Sequence, residues 1–171
     1  MVLSSSLVNR CIVLLAVCFS SAALAEDEGN ATLLPAAINA KWQTECSACH
    51  IAYPPMLLPE RSWRKLMAGL DKHFGVNAGL DDASAKEITE FLVDQSADHV
   101  QTRRAQGVVR SIAPGDAPLR ITETAFFKRE HDEVRSDVWK RPKVKSPANC
   151  GACHPAAEQG NFSEGRIKIP K

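Results

Sequence analysis

Cys46-Ser47-Ala48-Cys49-His50 and Cys150-Gly151-Ala152-Cys153-His154 are the residues of this chain whose types and spacing can do chemistry. In each run the two thiols, three positions apart, fall on one helical turn. There each can form a thioether to one vinyl group of a porphyrin, and the adjoining histidine is presented to the iron as its proximal ligand. Two such runs predict a dihaem c-type cytochrome. Its cofactors are two covalently bound haem c groups, attached through Cys46, Cys49, Cys150 and Cys153 and ligated by His50 and His154.

Other uses of paired cysteines fit the spacing less well. A disulfide framework uses scattered spacings that close long loops, not two identical tight pairs. A thioredoxin-like centre needs one such pair near a βαβ pattern, which is missing here. A shared zinc site needs its two pairs much closer than the 100 residues between Cys49 and Cys150.

The far side of each iron decides between a carrier and a catalyst. Beyond the proximal pair, the chain has His73, His99 and His131, with Met56 and Met67 as sulfur candidates past the leader. His73 shares a helical face with Leu66 and Leu70, and His131 shares one with Phe127 and Val134. A histidine on an apolar face is often a hydrogen-bonded core residue. With two irons to ligate, however, His73 and His131 are the candidate sixth ligands. Each lies 23 positions from a proximal histidine. Which of them serves which iron stays open, a crossed arrangement included. His99 follows Asp98 near a helix end and reads as a surface residue. Met67 reads as core filler and Met56, in a loop, as the better sulfur alternative.

These residues need helices to carry them. The pattern predicts a helix over 36–50 with Trp42 and the first motif. A second should start near Pro59 and bear Trp63, Leu66, Met67 and Leu70, stopping around Phe74-Gly75. A third is capped by Asp81 or Asp82 and faces inward through Ile88, Phe91 and Leu92. Residues 107–119, with two prolines and two glycines, read as a linker. Thr122 or Thr124 should cap a fourth helix running toward His131. Ser146-Pro147 should open a short helix through the second motif, ending near Gly160. Strand signals are weak throughout. Trp42, Trp63, Phe126, Phe127, Trp139 and Phe162 are expected to shield the porphyrins.

The N-terminus reads as an export leader. Arg10 precedes an apolar stretch at 11–19 that is too short to span a bilayer, and Ala23-Leu24-Ala25 supplies a small-x-small cleavage pattern. Cleavage after Ala25 leaves 146 of the 171 residues, and Cys11 and Cys18 leave with the leader. Val17 is bulkier than the residue a lipidation site at Cys18 prefers. Nothing else has the apolar length of a membrane span, so the expected location is the periplasm. The processed chain carries 20 basic and 20 acidic residues, without the basic excess of a nucleic-acid binder. Acidic residues crowd 81–98, where they alternate with a helix face. Lys140, Arg141, Lys143 and Lys145 precede the second motif and could steer a redox partner.

From Trp42 to about Val100 the order of elements resembles a class I cytochrome c, with His73 where that family usually places methionine. Over nearly the whole processed chain the sequence resembles the bacterial dihaem cytochrome c family of the DHC type. The resemblance rests on residues 45–50, 63–75, 119–122, His131 and 146–154, and on Gly160-Asn161-Phe162. It implies a mainly α fold: a class I-like domain with haem 1 at 26–105, after the signal peptide at 1–25. An irregular, partly helical segment at 106–171 would wrap haem 2. It also implies bis-histidine ligation of both irons and redox partnership with a membrane cytochrome b and a small oxygen-binding monohaem cytochrome. Such a protein is not an enzyme but passes single electrons through haem edges. The alternative is a haem enzyme of the peroxidase kind, or an O2- or NO-binding protein, with one open iron.

Overall fold

The computed structural model describes residues 32–171. The proposed leader therefore lies outside the described residues. Residues 32–171 form a mostly helical chain with no strand among them, only an isolated antiparallel bridge between His73 and Val76.

Five short α-helices carry the fold: α1 (Ala40–Cys46), α2 (Glu60–Met67), α3 (Asp82–Asp94), α4 (Arg103–Arg110) and α5 (Ala125–Glu130). Helices of this length are marginal alone in water, so packing must hold them. Asn39 caps α1 by accepting from the Trp42 N–H at 2.8 Å. Its amide also donates to Glu87 on α3 at 3.0 Å, beside the Lys41–Glu87 ion pair. Behind these polar ties, Trp42 lies against Phe91 with ring centroids 5.2 Å apart. With Leu58, Trp63, Ile88 and Leu92, Trp42 makes one apolar cluster, in which α3 packs on α1 and α2. This arrangement is compatible with a class I-like N-terminal part.

A second cluster gathers Leu33, Met56, Leu57, Ala97, Ala105, Val108, Ile112 and Phe126. Met56, a sulfur-ligand candidate by sequence, is a buried member of it. Its centre is α4, which the composition of 107–119 disguises. Thr102 caps this helix through the Ala105 N–H, and both Ala105 and Val108 are fully buried. Gly107 therefore sits inside a helix. A Cβ there would come within 3.2 Å of the Phe126 ring, so the glycine is an approach point for α5 rather than a helix breaker.

Several ends differ from the sequence expectation. α1 stops at Cys46, so Cys49 and His50 lie in the turns beyond it. Pro59 is the N-cap of α2 rather than its first residue. Asp81 caps α3 and Thr124 caps α5, each accepting from the N–H three residues on. After α5 only single 3-10 turns occur, at Val138–Lys140, Cys150–Ala152, Ala157–Gln159 and Glu164–Arg166. Ser146 caps no helix. Its hydroxyl accepts from the Ala148 N–H, and Asn149 precedes the Cys150–Ala152 turn. The two ends of the described chain meet where the Leu33 N–H donates to the Gly160 carbonyl at 2.9 Å. Among the described residues no helix is long and apolar enough to cross a membrane.

Candidate haem sites

The first motif straddles the end of α1, which places Cys46 in the helix and His50 four residues later in a turn. The His50 ring lies 6.2 Å, centroid to centroid, from that of His73. His73 ends the 3-10 turn Leu70–Lys72 that follows α2. The second motif is itself a 3-10 turn, and its His154 ring lies 6.2 Å from that of His131, the C-cap of α5. Both candidate distal histidines are thus beside a proximal one, 73 with 50 and 131 with 154.

That spacing fits a shared iron. With a metal–nitrogen bond of about 2 Å and roughly 1.1 Å from nitrogen to ring centre, two imidazoles on opposite sides of one metal have centroids about 6.2 Å apart. One ring of each pair is also oriented by its other nitrogen. His50 Nδ1 donates to the Ile51 carbonyl at 2.7 Å, and His131 Nδ1 donates to the Phe127 carbonyl at 2.8 Å. Such bonds fix the tautomer that leaves Nε2 free as a ligand. Burial holds His73 and His154 below the usual imidazole range, helped by His50 and Arg120 for the first and by His131 for the second. Both are therefore neutral at neutral pH, the form that binds metal.

The sulfurs suit thioethers. The four cysteines at the two motifs form no disulfide. Burial, with Glu45 nearby, pushes the Cys46 thiol up to about 11, and burial pushes Cys150 to about 11. Sites that resist a thiolate are poor for zinc or thiol redox chemistry and well matched to an uncharged thioether. Among the described residues no three His, Cys, Asp or Glu side chains converge as a protein-only metal site.

Aromatic rings divide between the sites and the core. Phe127 stacks on His131 at 4.0 Å, Trp139 lies 6.0 Å from the same ring, and Phe162 flanks His154 at 5.1 Å. Trp42, Trp63 and Phe126 are buried members of the two apolar clusters, the first of which Cys46 also borders. Tyr53 was missed by the sequence reading. Its ring stacks on His50 at 4.7 Å, and its hydroxyl donates to the Ala148 carbonyl at 2.7 Å, two residues before Cys150. The signal available was its place, three residues past a proximal histidine, as the chain's single tyrosine. His99 is on the surface, paired with Glu60 at 3.0 Å.

The sequence profile of the dihaem cytochrome c family, DHC, matches residues 42–162, a span holding both motifs and both distal candidates. The chain belongs to the DHC family of dihaem cytochromes c. As a family member it carries two covalently bound haem c groups, and its class of activity is electron transfer through them. The structure is similar to the diheme cytochrome c from Rhodobacter sphaeroides, at 47% identity and a TM-score of 0.66, covering 72% of this chain and 96% of that one. It is also similar to the diheme cytochrome type c from Shewanella baltica OS155, at 41% identity and a TM-score of 0.64, covering 77% and 93%. No curated protein matches the chain.

Proposed function

We propose that this DHC-family chain is an exported electron carrier that passes single electrons through two bis-histidine haems. His50 and His73 ligate the first iron, and His131 and His154 the second. The observation that carries this reading is the 6.2 Å centroid spacing in both pairs. Ligands on both faces leave no open coordination position, which disfavours substrate or gas binding at iron and leaves outer-sphere transfer through the haem edges. Without a methionine ligand to raise the potential, both haems should be reduced at lower potential than methionine-ligated relatives.

The leader at 1–25 would direct the chain to the periplasm, with haem 1 held by 26–105 and haem 2 by 106–171. On family resemblance, the partners are a membrane cytochrome b and a small oxygen-binding monohaem cytochrome.

Low-temperature EPR of the ferric, periplasmically matured protein tests the ligation. Two low-spin signals with two haems per chain are expected. His73→Ala and His131→Ala should each convert one haem to high spin. A stoichiometric high-spin signal in the parent protein would mean an open iron and turn the reading toward peroxide, oxygen or nitric oxide chemistry.

A further inference from the structure

Arg120 lies 47 residues beyond His73 in sequence, yet it reaches back to that histidine's turn. Its guanidinium carbon sits 3.9 Å from the centre of the Phe74 ring. Phe74 in turn meets His73 edge-on at 4.7 Å. The two contacts, 3.9 and 4.7 Å, hold the guanidinium within 8.6 Å of the His73 ring centre.

Phe74 has reason to need a brace. Its φ is +49°, a left-handed conformation unfavourable for a residue with a Cβ, and the residue remains 45% exposed. A cation over the ring face is an attraction that does not require burial. On its other side Arg120 Nε faces Glu123 Oε1 at 3.5 Å, an exposed pair that offsets only part of the charge. The second distal ring has a different setting, with Phe127 and Trp139 around His131.

We propose that Arg120 is a positioning residue for the first haem, bracing the His73 turn through Phe74 and raising the electron affinity of haem 1 relative to haem 2. Reduction lowers the charge at an iron by one, so a fixed cation nearby favours the reduced form. The 8.6 Å bound is to the His73 ring, and the iron would lie about 3 Å beyond it, at or past the Debye length of about 8 Å at physiological ionic strength. The effect should therefore be largest at low salt and shrink as salt is added. Arg120 thereby biases internal transfer, in which haem 2 is oxidised as haem 1 is reduced, toward haem 1, set against Arg141, whose charge acts on Cys153 of the second motif. The inference rests on His73 ligating the first iron.

An EPR-monitored redox titration of the dihaem holoprotein tests it, with haem 1 identified as the low-spin signal that His73→Ala abolishes. Arg120→Gln should weaken reduction of haem 1 several-fold and up to tenfold, about 59 mV for one electron, with haem 2 unmoved. Arg120→Lys should keep most of the parent value, and Glu123→Gln should shift haem 1 the opposite way. An unchanged haem 1 midpoint in Arg120→Gln overturns the proposal. So does an equal fall in Arg120→Lys. If haem 1 keeps its low-spin signal in His73→Ala, it is the ligation reading that fails, whatever Arg120→Gln does.

Discussion

Tyr53 touches both haem-motif segments: its ring stacks on His50, and its hydroxyl donates to the Ala148 carbonyl, 95 residues away in sequence. One side chain thus spans from the first proximal histidine to the loop that delivers Cys150. Tyr53→Phe removes the hydrogen bond and should lower stability by about 1 kcal/mol in thermal unfolding. It keeps the ring. Tyr53→Leu loses both contacts and should also slow electron equilibration between the haems, measurable by pulse radiolysis. Equal equilibration rates in Tyr53→Leu and the parent protein would deny Tyr53 a role between them.

The two histidine pairs differ in the angle between their rings, 32° for His50 and His73 against 79° for His131 and His154. Near-parallel imidazoles act on the same iron d orbital of π symmetry and split it from its partner. Near-perpendicular ones share their effect between the two orbitals. With these rings as ligands, the first haem should give a rhombic low-spin EPR signal and the second a signal with a large maximal g value. Two identical signals would contradict this geometry.

Asp81 ties stability to acid pH. A hydrogen bond from the Ser84 N–H, at the start of α3, holds its carboxyl below the ordinary value of 3.8. The folded chain therefore favours the ionised form more than the unfolded chain does. The contribution is complete above pH 3.8 and is lost as pH falls through the lower folded value. Asp81→Asn keeps an acceptor but cannot titrate, so its melting temperature should fall less steeply in that acid range.

Gly160 is the point where the two ends of the described chain close on each other. Its φ is +71°, and a Cβ would meet Thr32 Oγ1 at 2.5 Å and the Leu34 backbone nitrogen at 2.9 Å. Gly160→Ala should destabilise the protein by about 1–3 kcal/mol and expose the segment around Leu33 to proteolysis. Gly115→Ala is the control. Its φ of +88° is also left-handed, but nothing lies within 4 Å, so it should cost only about 1 kcal/mol and leave the segment around Leu33 protected.

The readable part of this protein is the part written in local spacing. The two Cys-x-x-Cys-His runs need only five consecutive residues each, and the apolar stripes that single out His73 and His131 need only a turn or two of helix. The caps at Asp81 and Thr124 are equally local, since each side chain bonds an N–H three residues on. Even so, periodicity overran its limits. It extended α1 through the first motif and drew a helix through the second, where the chain makes a 3-10 turn.

What the tertiary structure decided depends on residues far apart in the chain. Local spacing left a crossed arrangement of the histidines open, whereas packing sets the His73 ring beside His50 and the His131 ring beside His154. Gly107 looks like a breaker until Phe126 closes on it from α5, because a glycine's meaning depends on what approaches it. Tyr53 with Ala148, and Arg120 with Phe74, follow no sequence period at all. A side chain's own preference reaches only a few residues along the backbone. Which distant group it meets is settled by the burial of the two apolar clusters that bring those segments together.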